Sequence, residues 1–350
     1  MTIALGTALE MLQAHTGVVI PAYLPPGIDL SQGEGLLRDT VATTCAQVAD
    51  PRAVCLSVDG AKSGGSVGES IARDLGVTLA IASENRGKLQ AAMLGVNRLL
   101  EDPEIRYVAL IDQDGDHFPN ELVNFVRAAL HLAQRSGDDR LMILGQRHSL
   151  HRPLGWLRGE LEILADRVLL SALRYHAATH GTPLALEYAE PVSEIPDFHS
   201  GYKLFSREVA ANVFSAPPAL CGLGEDAAYR HACEAVMTVR AFLHGARLGL
   251  VNRSTFNQQP VSTFELFDRH QLTVDLIAWP CKRLAVPPAF VRQWLANVVP
   301  SLTLDTLVPE GREILARIVD GVMALLAEDS DGVPLHEATT EETRAAPLFL

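Results

Sequence analysis

Positive charge is scarce in this 350-residue sequence, which has 29 lysines and arginines against 42 aspartates and glutamates. The formal net charge is −13, and no basic patch dominates. Proteins that bind nucleic acid or an anionic membrane surface concentrate positive charge where they bind. We therefore expect neither of these partners.

Long apolar runs and paired cysteines are missing as well. No stretch of about 18 uncharged apolar residues is present, as a transmembrane segment would need, and residues 1–6 lack the basic start and apolar stretch of a secretory signal. The five cysteines form no C-x-x-C pair, which is typical of reduced, buried thiols. These absences predict a cytoplasmic protein. The hydrophobic content of 48% predicts a full globular core.

Several nucleotide-binding motifs are also absent. Lys88 is followed by Leu89, so the G-x-x-x-x-G-K-[ST] phosphate loop is not formed. No G-x-G-x-x-G follows the first apolar run, which disfavours a nicotinamide dehydrogenase. No G-x-G-x-R loop, as in sugar nucleotidyltransferases, follows it either.

Apolar runs alternate with helical stretches in the first half of the chain. Predicted strands cover residues 18–20, 53–58, 77–81, 107–111 and 141–144. This rhythm predicts an α/β fold with a mainly parallel sheet flanked by helices. Because carboxyl ends of parallel strands share one edge, we expect Tyr23, Asp59, Glu84 and Asp112 to lie along it.

The rhythm breaks near residue 151, where a long helix is predicted over 157–180. Residues 262–325 have a helical pattern interrupted by prolines, and the acidic tail after Ala327 is expected to be frayed. The predicted units are a domain of residues 1–260, with halves 16–150 and 151–260, and a helical C-terminal extension of residues 261–350. The apolar C-terminal region favours a homo-oligomer.

Asp112 and Asp114 directly follow the apolar run 107–111. Two buried carboxylates this close repel each other unless a cation joins them, and a divalent metal that carries phosphate oxygens is the expected cation. Ordinary capping is the alternative. An EF-hand loop is excluded because His117 and Val123 stand where Gly and Glu are required. A phosphohydrolase of the haloacid-dehalogenase type also uses D-x-D, but after its first strand.

Two further positions open helices. Gly87 and Lys88 place free backbone N–H groups and a positive charge at a helix start, which favours phosphate binding. Glu225 and Asp226 precede another helix, where they either stabilise the helix dipole or supply a general base. Three isolated histidines, His117, His199 and His244, are candidate metal ligands, although a lone histidine is more often structural.

Taken together, these motifs resemble those of GT-A-fold glycosyltransferases, similar to glycosyltransferase family 2, over residues 16–255. The matching segments are 18–23 (opening strand and P-x-Y turn), 58–60, Asn85-Arg86-Gly87-Lys88 with Ala91 and Ala92, 111–119 (D-x-D), Gly201 with Arg207, and Gly224-Glu225-Asp226. The resemblance rests on the order and spacing of the segments more than on any single motif.

The resemblance implies transfer of a sugar from a UDP- or GDP-linked donor to an acceptor hydroxyl, with a Mn²⁺ or Mg²⁺ cofactor. The implied donor-binding residues are Pro21, Tyr23, Asp59, Glu84, Gly87, Lys88, Asp112 and Gly201. The implied metal ligands are Asp112 and Asp114. Asp226, or less favourably Glu225, is the implied base of an inverting reaction.

The segment 152–185 and the helical C-terminal portion also resemble retaining enzymes that glycosylate glycerate or phosphoglycerate. Those enzymes use a histidine beyond the acidic motif as a third metal ligand, and here that region offers Asn252, with His244 earlier. A basic cluster of Arg147, His148, His151 and Arg152 is either a solvated loop or the recognition site for an anionic acceptor. A phosphohydrolase and a non-catalytic nucleotide-sugar-binding module remain the rival functions.

Overall fold

The structure is a computed structural model that describes residues 3–25, 30–256 and 268–327. Its strands are β1 (Thr16–Ala22), β2 (Val54–Val58), β3 (Thr78–Ile81), β4 (Tyr107–Leu110), β5 (Leu141–Arg147), β6 (Lys203–Ser206) and β7 (Arg247–Arg253). Its helices are α1 (Leu5–His15), α2 (Leu30–Cys45), α3 (Gly65–Leu75), α4 (Lys88–Leu99), α5 (Leu122–Ser136), α6 (His151–His180), α7 (Arg207–Phe214), α8 (Cys233–Leu243), α9 (Arg269–Arg283), α10 (Pro288–Val298), α11 (Leu304–Leu307) and α12 (Gly311–Ala327).

The seven strands form one sheet in the order β3-β2-β1-β4-β6-β5-β7. Strand β6 pairs antiparallel with both β4 and β5, whereas the other pairings are parallel. Six strands therefore run in one direction and end at the same edge. The predicted mainly parallel sheet flanked by helices is confirmed, and each of the five predicted strands is present.

Alternate residues of the central strands serve two cores, because successive side chains in a strand point to opposite faces. In β1, Val19 packs with the core cluster built around α4, α6 and α8, whereas Val18 and Ile20 pack with the other cluster. Both faces of the sheet are thus covered by helices. This explains the unbroken apolar runs by which the strands were predicted.

Helix α6 begins at His151, six residues before the predicted start, and contains one non-helical residue, Gly155, with φ of 76°. Glycine tolerates this left-handed conformation, so the chain bends there and continues as helix. The C-terminal region is helical as predicted, and α9 packs against α6 and α12. The division of the chain into a domain of residues 1–260 and a separate C-terminal extension stays a prediction.

The predicted frayed tail, residues 26–29 and the predicted start of the helical extension at 261–267 lie outside the described residues. Within the part that is described, no helix combines the length and the apolar character needed to cross a bilayer.

Candidate active site

A cavity of about 260 Å³ opens where the parallel strands end. One side is lined by strand ends and by the start of α4: Pro21, Ala22, Tyr23, Asp59, Gly87, Lys88, Ala91, Asp112, Gln113 and Asp114. The other side is lined by residues of α6, α8, α9 and the intervening loops: Arg158, Leu161, Glu162, His199, Arg230, His231, Cys233, Glu234, Leu272, Thr273 and Leu276. Tyr23, Asp59 and Asp112 therefore meet here, as expected from the strand ends.

Gln113 ties the end of β4 to the end of β1. Its Nε2 donates to the carbonyl oxygen of Tyr23 over 2.7 Å, and the Tyr23 amide donates to Oε1 over 2.8 Å. These two bonds continue the pairing of β1 and β4 beyond their last ladder residues. They fix the backbone between the two aspartates of the D-x-D segment.

Asp59, just after β2, holds the loop that leads into α4. Its Oδ1 accepts from the Arg86 amide over 3.0 Å, and its Oδ2 accepts from the Gly87 amide over 2.8 Å. Burial raises the pKa of Asp59, and these amides only partly offset that effect. Gly87 has φ of 118°, and a side chain there would overlap the carbonyl oxygen of Tyr229, so glycine is required at this helix start.

Four charged side chains pair one after another beside the cavity: Asp112, Lys88, Glu234 and Lys203. Lys88 Nζ lies 2.6 Å from both Asp112 Oδ1 and Glu234 Oε1, and Glu234 also pairs with Lys203. Lys203 is fully buried and donates to the carbonyl oxygens of Phe198 and Ser200. Burial acts to raise the pKa of Asp112, but the charge and hydrogen bond of Lys88, together with His117 and Arg253, outweigh burial and lower that pKa.

Asp114 has the opposite electrostatic environment. Burial and the neighbouring charge of Asp112 raise its pKa to about 7, and the Asp116 amide and the charge of Lys88 offset these effects only in part. A divalent cation would relieve this repulsion, and carboxylate oxygens are its preferred ligands. The pair Asp112 and Asp114 therefore fits a divalent metal. No group of three or more His, Cys, Asp or Glu side chains within the described segments is arranged to hold one.

Asp116, two residues further along, has a structural role. Its Oδ2 pairs with Arg253 over 3.2 Å, and its Oδ1 accepts from the Phe256 amide over 2.8 Å. Both Asp116 and Arg253 are buried. Together they anchor the end of β7 to the D-x-D loop. His117 accepts from the Asp112 amide over 2.9 Å and stacks on Tyr202, which fits a structural role.

Gly201, which precedes β6, lies against Asp112 and Lys88. A side chain at this position would overlap Asp112 Oδ2 and approach Lys88 Nζ to 2.8 Å. Gly201 therefore lies beside Asp112 and Lys88, two other predicted donor-binding residues, although it does not line the cavity itself. Its lack of a side chain lets the loop pack onto the aspartate.

Three predicted residues lie away from the cavity. Glu84 is exposed and is not among the lining residues. Glu225 and Asp226 point to solvent, with side-chain exposures of 57% and 71%, and they pair with Arg86 and Arg230 respectively. The structure thus places neither Asp226 nor Glu225 at the cavity, and their role as the catalytic base stays a prediction.

The two candidates for a third metal ligand are not brought to the aspartates either. His244 follows α8 and precedes β7, at the edge where the parallel strands begin. A seven-residue strand spans roughly 20 Å, so His244 cannot share a metal with Asp114. Asn252 is near the correct edge, but it is exposed and, by strand alternation, faces away from the side on which Arg253 meets Asp116.

The predicted basic cluster is also dispersed. Arg147 is buried and forks onto Asp197, with Nε and Nη2 each 2.6 Å from a carboxylate oxygen, and Nη2 also contacts Glu162 over 2.7 Å. His151 pairs with Glu160 over 2.7 Å. None of Arg147, His148, His151 and Arg152 lines the cavity. The structure therefore does not bring this cluster to the cavity, and the charge of Arg147 is neutralised by Asp197 and Glu162.

Two histidine–aspartate pairs at the cavity could not be recognised from the sequence. His199 Nδ1 lies 2.7 Å from Asp166, and His231 Nδ1 lies 2.6 Å from Asp275. The partners are 33 and 44 residues apart in the chain, so no local motif links them. Glu234 was missed for a similar reason, since it lies inside an apolar helix.

No family model matches the chain, and no curated protein is similar to it in sequence. Among solved structures, glucosyl-3-phosphoglycerate synthase from Mycobacterium tuberculosis with phosphoglyceric acid is similar, with a TM-score of 0.50 and 16% identity over 81% of this chain and 85% of that chain. The same synthase with Mn²⁺, UDP-glucose and phosphoglyceric acid gives 0.49 and 17% over 82% and 86%. S. aureus TarS 1–349 gives 0.39 and 12% over 91% and 92%. The likeness to the synthase at a TM-score of 0.50 establishes a shared fold, and the chain therefore has the GT-A type of fold.

Proposed function

We propose that this protein is a metal-dependent glycosyltransferase that moves a sugar from a nucleotide diphosphate sugar to an acceptor hydroxyl. One observation carries the proposal: Asp112 and Asp114 share a cavity with Tyr23, Asp59 and Lys88 at the carboxyl ends of the parallel strands. Ligands of open α/β sheets bind at this edge. The similar solved synthase has been captured with Mn²⁺ and UDP-glucose.

The donor side of the cavity has a division of roles. Tyr23 and Asp59, at the ends of β1 and β2, would hold the nucleoside, and the start of α4 at Gly87 would face the diphosphate, as helix N-termini suit anions. Lys88 adds a positive charge there. Its present partners, Asp112 and Glu234, keep it pointing into the cavity.

Asp112 and Asp114 would hold the divalent cation. A bound Mn²⁺ or Mg²⁺ neutralises negative charge that builds up on a leaving diphosphate. The fit rests on the donor set and on the raised pKa of Asp114, which reflects burial and the nearby charge of Asp112. Gly201 contributes by leaving room for the Asp112 carboxylate.

We propose retention of the anomeric configuration in place of the inversion expected from the sequence, because no cavity carboxylate of the described residues is free to act as a base. Inversion needs a base that takes the acceptor proton. The cavity carboxylates among the described residues are engaged: Asp112, Glu162 and Glu234 in ion pairs, Asp59 with backbone amides, and Asp114 in the proposed metal site. Proton NMR of the first-formed product decides this, and an inverted product would require a base, for which the two cavity histidines are the remaining candidates.

The acceptor side combines apolar and charged groups. Leu161, Leu272 and Leu276 provide an apolar wall. Two arginines line the cavity next to it, Arg158 paired with Glu162 and Arg230 paired with Asp226, and an anionic group would compete with these carboxylates for them. A small hydroxyl compound that carries an anionic group fits this combination, and phosphoglyceric acid is bound by the similar synthase. Comparison of 3-phosphoglycerate, glycerate and glucose as acceptors tests the point. Equal rates with all three would contradict a preference for anions.

The donor is tested by calorimetry with UDP-glucose, UDP-N-acetylglucosamine, UDP-galactose and GDP-mannose, each with and without Mn²⁺. We expect Mn²⁺-dependent binding of one donor, which the substitution Asp114→Asn removes while the fold is retained. Failure of the folded protein to bind any of these donors would contradict the proposal and favour a phosphohydrolase, tested with simple phosphomonoesters. Binding without release of nucleoside diphosphate in the presence of acceptors would favour a binding module.

A further inference from the structure

His199 lines the cavity, and its two ring nitrogens have different surroundings. Its Nδ1 lies 2.7 Å from Oδ1 of Asp166 on α6, and its side chain is only 4% exposed. Its Nε2 is buried and, among the described residues, has no hydrogen-bond partner.

A buried polar atom without a partner is costly, so such atoms are rare and call for an explanation. The Asp166 carboxylate fixes the ring orientation, since it is itself buried and accepts from Nδ1. The ring cannot turn its outer nitrogen towards the core without losing this bond. The open position at Nε2 is therefore built into the fold.

The chemistry at Nε2 favours a hydroxyl group as its partner. In the neutral ring, Nε2 accepts a hydrogen bond, and in the protonated ring it donates one. A hydroxyl can satisfy both states, whereas a phosphate or carboxylate only accepts. The carboxylates of Asp166 and Glu162 face the ring, which further disfavours an anion even though Lys203 is nearby.

The position of His199 lies between the two sides of the cavity. Gly201, two residues along the chain, contacts Asp112 of the metal side, while Asp166 belongs to α6, whose Arg158 and Leu161 line the other side. We propose that His199 is a substrate-binding residue whose Nε2 hydrogen-bonds a carbohydrate or acceptor hydroxyl, with Asp166 as its positioning residue. This inference rests on the proposed glycosyl transfer.

Two matched substitutions separate the roles of the two nitrogens. The amide of His199→Asn lies near the Nδ1 position, so it keeps the contact with Asp166 and withdraws the outer polar atom. The amide of His199→Gln lies near the Nε2 position and keeps a polar atom in the cavity. His151→Gln is the control, because His151 also pairs with a carboxylate but does not line the cavity.

Two kinds of measurement are made, all with Mn²⁺. Binding gives the Kd values of UDP, of GDP and of the sugar nucleotide that binds most tightly from the panel above. Kinetics give kcat and KM with 3-phosphoglycerate, glycerate and glucose as acceptors. For His199→Asn we expect nucleoside diphosphate binding within twofold of wild type. If the hydroxyl belongs to the donor sugar, the sugar nucleotide binds about five- to tenfold more weakly. If it belongs to the acceptor, donor binding is unchanged and the acceptor KM rises by a similar factor. His199→Gln should recover most of either loss.

Three outcomes would overturn the inference. The first is that His199→Asn leaves sugar nucleotide binding, kcat and KM within twofold of wild type. The second is that His199→Asn and His199→Gln weaken UDP, GDP and sugar nucleotide binding equally, which would indicate a structural role. The third is that the wild-type protein binds no nucleotide with Mn²⁺, which removes the proposed function and this inference together, whereas the first two remove the inference alone.

Discussion

Gly201 lies so close to the carboxylate of Asp112 that a methyl group in place of its hydrogen would overlap Oδ2. The same methyl group would come within 2.8 Å of Lys88 Nζ. Gly201 thereby limits the positions that the carboxylate of Asp112, a predicted metal ligand, can occupy.

The substitution Gly201→Ala should weaken Mn²⁺-dependent nucleotide binding by about ten- to hundredfold, the range seen when the orientation of a metal ligand is lost. The loss is expected because Asp112 must move to make room. Calorimetry measures it, with Gly35→Ala as control, since a side chain at Gly35 would meet nothing within 4 Å. Equal affinities for both variants would show that Asp112 does not need its present position.

The substitution Asp114→Asn should stabilise the metal-free protein at pH 8. The pKa of Asp114 is raised to about 7 by burial and by Asp112, so between about pH 4 and pH 7 the folded state holds a proton that the unfolded state has released. The contribution of Asp114 to stability therefore falls as pH rises through this window. We expect a gain on the order of 2 to 4 kcal/mol at pH 8 that vanishes near pH 4.

Urea unfolding at both pH values measures this gain. Asp39→Asn serves as the control, because it changes one exposed carboxylate that does not line the cavity. A gain of the same size at pH 4 and pH 8 would contradict the pKa-based explanation.

The affinity for Mn²⁺ should rise with pH, whereas the contribution of Asp114 to stability falls. A metal ligand must be deprotonated, so protons compete with the metal below the raised pKa of Asp114, about 7. We expect Mn²⁺ affinity in the presence of UDP to rise by up to about tenfold per pH unit below pH 7 and to level off above it. A flat profile between pH 5 and pH 8 would argue against Asp114 as a ligand.

The substitution Asp226→Asn should leave kcat within about twofold of wild type. Asp226 is 71% exposed and pairs with Arg230 at the surface, and exposed ion pairs contribute little. Steady-state kinetics on the identified donor and acceptor check this, together with Glu225→Gln. A loss of a hundredfold or more would restore Asp226 as the general base, the role implied by the resemblance.

The substitution Arg147→Met should destabilise the protein by about 3 to 5 kcal/mol, because it leaves two buried carboxylates, Asp197 and Glu162, without their common partner. Urea unfolding of this variant beside Arg152→Met, at an exposed position of the same predicted cluster, measures the difference. Similar stabilities of the two variants would show that the buried network can do without Arg147.

The donor side of the site could be predicted because it follows local rules. Apolar runs that end in Tyr23, Asp59 and Asp112 define both the strands and their polar ends, and parallel strands bring those ends together. Glu84 followed the same rule and still lies outside the cavity. A strand end fixes where the backbone arrives, but the loop conformation decides where the next side chain points.

The other side could not be predicted in the same way, because its partners come from distant parts of the chain. Asp166 gives no sign in the sequence that it meets His199, as it lies within the predicted long helix. Glu225 and Asp226 show the opposite problem: their motif could be recognised in the sequence, but their position relative to the cavity could not. An acidic pair at a helix start serves a solvent-exposed helix end as well as a catalytic cleft, and only the orientation of the helix separates the two.

The direction of β6 has a consequence for how substrate preference can change. Since β6 runs against its neighbours, the cleft receives the residues that precede this strand rather than those that follow it. The incoming segment, residues 181–202, pairs with β7 at the bridge between Tyr188 and Gly249, whereas the loops after β1, β2 and β4 each follow a strand that pairs along its length. Substitutions in residues 181–198 can therefore change the segment that enters the cleft while Gly201, Tyr23, Asp59 and Asp112 keep their places.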